Sequence, residues 1–223
     1  MLQWLYLQIL PHIPECDADR QQTLARMISL LLRALLLLSA FVAHSPALLT
    51  TTTIDDAGSI DGLQIIYSPP GYWSLGETCN DCEAHVNSSE AHNGTWHDTT
   101  FFPDQPPPSP LTASLTFEGA YTPPHPRKTP QRACFHPGEE IYVYCIITRA
   151  STDPFGNTDM TFSIDGVNVS TLQLAPDGNS TYLYNYAVYV NHSIPPGTHT
   201  FTLTNGRPNG NTALALLDYI VIS

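Results

Sequence analysis

Trp96-His97-Asp98 places an imidazole directly beside a carboxylate, the pairing from which general base catalysis is built. Adjacent side chains of a strand point to opposite faces, so a His–Asp dyad does not form within that tripeptide. His92, His125, His136, His192 and His199 are scattered, and none belongs to an H-E-x-x-H pair. No G-x-S-x-G presents a nucleophilic serine. Glycoside hydrolysis on a β-sandwich would need two carboxyl groups across a groove. Asp55, Asp56, Glu118, Asp159 and Asp218 are acids of the right type, and solvated or turn-forming roles explain them more simply. Asp55-Asp56 also offers hard oxygen ligands for calcium, without a spaced third ligand. The chain reads as non-catalytic, and its residues imply no cofactor.

Four cysteines follow residue 48: Cys79, Cys82, Cys134 and Cys145. An even count in an oxidising compartment means disulfides. Cys79-Asn-Asp-Cys82 is a C-x-x-C, but its flanks are acidic and loop-like, which disfavours a stabilised thiolate. Zinc would want a second closely spaced pair, and ten residues separate Cys134 from Cys145. A structural loop disulfide therefore fits Cys79 and Cys82 best, and the remaining pair would be Cys134 with Cys145. Tyr72, Trp73, Trp96 and Phe102 lie near loops, where aromatic faces could stack on the apolar C–H faces of sugar rings. The competing assignment puts Trp73 and Trp96 in the core.

The net charge of -12, from 8 basic against 20 acidic residues, repels phosphate backbones and anionic membranes, so nucleic acid is excluded as a partner. Arg20, Arg26 and Arg33 precede the apolar run Ala34–Ala43, and Ser45 and Ala47 follow as the small residues of a cleavage site. That order is a signal peptide from about Met27, with a mature chain starting near Leu48. The apolar run is shorter than the roughly 20 residues a membrane span needs, and no second one follows, so no transmembrane anchor is expected after cleavage. Residues 1–26 add nothing to this pattern and fit an early-assigned start. Residues 1–47 are then the leader, and 48–223 form a single β-sandwich domain with a Pro-rich loop or insert at 99–138. Five N-x-S/T sequons, Asn87, Asn93, Asn168, Asn179 and Asn191, agree with secretion to the extracellular space or cell surface.

Strand-like segments fill the rest. Leu63–Tyr67 stops at Pro69-Pro70-Gly71, and Gly94–Asp98 is short. Ala113–Phe117 alternates, and Glu140–Ile147 is apolar on both faces from Val143, as a central strand is. Asp159–Ile164 meets the hairpin turn Asp165-Gly166, with Val167–Leu174 returning. Tyr182–Tyr189, Thr198–Thr204 and Ala213–Ile222 complete eight or nine strands without helical periodicity. The fold class is all-β, an antiparallel two-sheet jelly-roll sandwich. Its expected core is Ile66, Leu115, Phe117, Val143, Ile146, Phe162, Ile164, Phe201, Leu203, Leu216 and Ile220.

The ordered set of Asp55-Asp56, Ile66-Tyr67-Ser68, Trp73, the C-x-x-C loop, Gly94–Asp98, Phe117, Ile141–Tyr144, Phe162–Gly166, Gly197–Leu203 and Leu217–Ile220 covers about residues 53–223. It resembles a group of fungal secreted or single-pass surface proteins with galactose-binding-like jelly-roll ectodomains, a group without an assigned activity. The resemblance implies fold and location only. Ala120–Gly138 interrupts the family's order. As an intron-derived insert it would leave three mature cysteines, an odd count. The functional expectation is a non-catalytic extracellular glycoprotein module that binds cell-wall or other glycans. The alternatives are a secreted carbohydrate-active hydrolase and a surface protein without a small ligand.

Overall fold

The computed structural model describes residues 51–107, 109–119 and 139–223. The leader, residues 120–138 and Cys134 lie outside the described residues. In chain order the strands are β1 (Thr52–Asp55), β2 (Ser59–Ile60), β3 (Leu63–Gln64), β4 (Ile66–Ser68), β5 (Ser74–Leu75), β6 (His97–Phe101) and β7 (Leu111–Gly119). They continue as β8 (Glu139–Arg149), β9 (Thr158–Ile164), β10 (Val167–Leu174), β11 (Asn179–Ile194), β12 (Gly197–Asn205) and β13 (Ala213–Ile222). One sheet has the order β11-β8-β13-β6-β5, with β1 also on β13, and the other has the order β10-β9-β12-β7-β4. Every pairing is antiparallel. No helix among the described residues is long and apolar enough to cross a membrane.

Two-residue alternation explains the core. Ile141, Val143, Cys145 and Ile147 of β8 face Leu115, Phe117, Phe162, Phe201 and Leu203 of the opposite sheet in one cluster. The polar partners on the second sheet's outer face pair across strands, Ser114 with Thr202 at 3.1 Å and Thr116 with Thr200 at 3.0 Å. The Asp165-Gly166 turn has φ of 52° and 76°, the positive pair a two-residue hairpin with right-handed twist requires.

Three expectations are corrected. Ile66 is 59% exposed and Ile65 takes its place at 3%. Tyr67 opposite Ala113 points inward, and period two puts Ile65, not Ile66, on the same face. Ile164, at the hairpin end of β9, only packs against the core's edge. Cys145 is a free, fully buried thiol, so it does not pair with Cys134. Its place in the β8 alternation carries it into the apolar interior, where burial pushes the thiol up and leaves it unreactive.

The turns beside the second sheet hold a charged staple. His199 Nδ1 lies 2.8 Å from Asp165 Oδ2, and Nε2 lies 2.8 Å from the Pro195 carbonyl. Both partners only accept, so both ring nitrogens must donate and the ring is imidazolium. The Asp165 bond raises the His199 pKa from 6.5, and bonding from the Thr200 amide and His199 lowers that of Asp165. A raised histidine contributes stability fully below its unfolded pKa and loses it as pH rises through the folded value. His199→Ala is expected to reduce the stability loss that wild type shows on going from pH 6 to pH 9, leaving the part due to other groups that titrate in that range. Thermal unfolding across that range checks it, and unchanged pH dependence would refute the staple.

Candidate functional site

β-bulges build the most chemically elaborate surface. On β13 the register shifts between Leu217, opposite Cys145, and Tyr219, opposite Tyr144. Asp218 is the extra residue, and the slip turns Tyr219 outward beside Tyr144. On β11 a second shift falls between Leu183 and Tyr186, where Asn185 adopts φ of 53°. This positive φ carries the Asn185 Oδ1 to accept from the Tyr219 hydroxyl at 3.0 Å.

The result is a file of five rings on the outer face of the larger sheet. His92 lies 4.5 Å from Tyr219, Tyr219 stacks on Tyr144 at 4.5 Å, Tyr144 parallels Tyr142 at 6.5 Å, and Tyr142 meets His192 edge-on at 5.5 Å. Tyr142, Tyr144 and Tyr219 are half-buried. Ala187 and Val190 flank the file from β11, and Val221 flanks it from β13. Glu140 closes one end, accepting from the Tyr142 hydroxyl and meeting His192 Nδ1 at 3.0 Å. The Tyr142 hydroxyl holds the Glu140 carboxyl below its ordinary range.

The rest of this sheet face is covered. Residues 76–96, which contain the Cys79–Cys82 disulfide, pack Ala84 and Trp96 on Ile146, Leu214 and Leu216. Tyr182 and Tyr184 hydroxyls accept from the amides of His85 and Asn87 at 3.0 and 2.9 Å. Asp218 Oδ1 accepts from the His92 amide at 2.9 Å, and this bond seats the His92 ring against Tyr219.

Beneath the file lies an acid cluster. Asp56 accepts from Thr95 Oγ1 at 2.6 Å and holds His97 Nδ1 at 2.6 Å, while Tyr67 stacks on His97 at 3.9 Å. Asp55 Oδ1 and Asp218 Oδ2 are buried without a hydrogen-bond partner. Burial, together with Asp56 and Asp55, pushes Asp218 up to about 7. Burial and Asp56 also raise Asp55. Burial and Glu83 push Asp98, on the covered outer face, up to about 6.

The residues singled out in the sequence separate into different roles. Trp73 and Trp96, 9% and 3% exposed, are core and present no face to a ligand. The Trp73 indole donates to the Ser68 carbonyl at 3.3 Å. Tyr72 and Phe102 are exposed at 46% and 51%, away from the ring file. His97 uses Asp56 and not its neighbour Asp98, as strand alternation requires. Asp56 and Asp218 are 2% and 0% exposed, so neither lines a groove as a glycosidase carboxyl must. Asp159 binds Arg207 at 2.8 Å, and Glu118 accepts from Thr198 at 2.7 Å. The calcium expectation at Asp55 and Asp56 gains no geometry: among the described residues no group of three His, Cys, Asp or Glu side chains is arranged for a metal. Sequence reasoning missed Tyr142, Tyr144 and Tyr219. The Tyr-Val-Tyr alternation of β8 already put the first two on one face.

No family model matches the chain, and no curated protein does. Among solved structures it is similar to a family 35 carbohydrate-binding module from Clostridium thermocellum, at 11% identity and a TM-score of 0.38, covering 78% of this chain and 97% of that one. It is also similar to the CBM36-1 domain of a multidomain xylanase from the hindgut metagenome of Trinervitermes trinervoides, at 12% identity and 0.39, covering 78% and 97%. A third is the C-terminal CBM6 of a laminarinase from Zobellia galactanivorans, at 11% identity and 0.38, covering 78% and 99%.

Proposed function

We propose that this chain is a non-catalytic, extracellular glycan-binding module whose site is the file His92–Tyr219–Tyr144–Tyr142–His192. The carrying observation is the file itself, five contiguous rings on an open sheet face with a carboxylate, an amide and tyrosine hydroxyls around them. A pyranose offers apolar C–H faces and equatorial hydroxyls together. Rings supply area at low entropy cost, and Glu140 and Asn185 supply acceptors for sugar hydroxyls. An uncharged polysaccharide suits the site better than a uronate polymer, because Glu140 and the net charge of -12 repel anions.

The test is binding of the secreted protein to an array of wall polysaccharides, with Tyr144→Ala and Tyr219→Ala as variants. Each is expected to weaken binding about tenfold, the equivalent of about 1.4 kcal/mol for a lost aromatic contact. Tyr72→Ala is expected to leave it unchanged. No binding to any polysaccharide, or equal loss with Tyr72→Ala, would refute the assignment.

A further inference from the structure

We propose that N-linked glycans on β10 and β11 act as guards of the sandwich's two long open edges. The argument rests on secretion and is independent of the ring file.

Among the described residues β10 pairs only with β9, and β11 only with β8. Each therefore carries one row of backbone donors and acceptors without a sheet partner. Such an edge is a template for pairing with another copy of the chain. The composition of these edges sharpens the hazard. β10 exposes Val167 and Val169 at 66% and 46%, and β11 exposes Leu183 and Val190 at 43% and 39%. Neither strand contains lysine, arginine or proline, the residues that usually blunt an edge.

Three of the five sequons fall on these strands. Asn168 stands exposed between Val167 and Val169, opposite Ser163, where the pairing slips at a bulge. Asn179 opens β11, and Asn191 directly follows Val190 near its end. A branched, hydrated oligosaccharide at the exposed Asn168 and Asn179 prevents a second strand from approaching, and Asn191, half-buried opposite Ile141, marks the far end of the β11 edge. In the transfer, the asparagine Nδ2 bonds to the anomeric carbon of a lipid-diphosphate-linked oligosaccharide. The anomeric C–O bond breaks, the lipid diphosphate leaves, and one Nδ2 proton goes to the transferase's base. In the unmodified chain the Asn191 Nδ2 donates to the Tyr189 hydroxyl at 3.1 Å.

The full chain should be secreted from a eukaryotic host as wild type, as N168Q/N179Q/N191Q and as S89A, which removes the Asn87 sequon. Peptide mass mapping reads occupancy, and size-exclusion chromatography with light scattering reads assembly. The wild type and S89A should remain monomeric, and the triple variant should form growing oligomers. Enzymatic removal of glycans from folded wild type should do the same, which covers failure of the variant to fold. Adding Val169→Lys to the triple variant should restore the monomer, since a charge replaces the glycan as guard. Unoccupied Asn168 in wild type, or a monomeric deglycosylated protein, would overturn the proposal. Loss of glycan-array binding by the ring file would leave it untouched.

Discussion

Asp218→Asn should raise the unfolding temperature at pH 8 and lower it by a few degrees at pH 4. Burial holds the Asp218 carboxyl at about 7 against an ordinary 3.8. The folded state thus binds a proton that the unfolded state releases. The stability linked to that proton is complete below the unfolded pKa, and it is lost as pH rises from 3.8 through about 7. Full ionisation costs about 4 kcal/mol. Asparagine keeps the oxygen that accepts from the His92 amide at 2.9 Å. An unpaired amide in place of Oδ2 costs about 1–2 kcal/mol, leaving a net gain of about 2 kcal/mol. For a domain of this size that corresponds to about 4–8 °C. Calorimetry from pH 4 to pH 9 in chelator provides the measurement. A calcium-dependent rise in the wild type that Asp218→Asn abolishes would defeat this account and assign the cluster to a cation.

Trp96→Ala should cost about 3–5 kcal/mol, the larger of the two effects. The indole is 3% exposed and fills the space between residues 76–96 and Ile146, Leu214 and Leu216. Gly76 is built around it: a Cβ there would stand 1.9 Å from the Trp96 Nε1. The Gly76 amide donates to the Trp96 carbonyl at 2.8 Å. The surrounding backbone therefore has no smaller arrangement into which to collapse. Urea denaturation should show the lower midpoint, and limited proteolysis should cut within 76–96 first. A change below about 1 kcal/mol accompanied by lost glycan binding would instead return Trp96 to a ligand face.

Much of the architecture was legible because it is local. The β9–β10 hairpin follows from Asp165-Gly166, and Ala213–Ile222 emerged with its bounds intact. Alternation named the inward side of β7 and β12 correctly at Leu115, Phe117, Phe201 and Leu203. It failed at Leu63–Tyr67, where a break at Ile65 and the inward Tyr67 reverse the assumed face. The candidate site was less legible because it depends on register. Tyr144 and Tyr219 are far apart in the chain, and only the extra residue at Asp218 turns both to the same side. Trp73 and Trp96 misled for a related reason: proximity to loops in sequence does not separate a residue under a loop from one at its tip. Cys145 belonged to a strand whose alternation pointed it inward, which parity of the cysteine count does not register.

The pairing of β1 with β13 sets the order of events during synthesis. Thr52 lies opposite Ile222, so the earliest described strand has its only sheet partner in the latest one. The β9–β10 hairpin can form as it emerges from the ribosome, but the larger sheet cannot close until β13 has left the exit tunnel. Closing so long a loop is slow. The larger sheet therefore closes as a single late event, once β13 is available, rather than strand by strand.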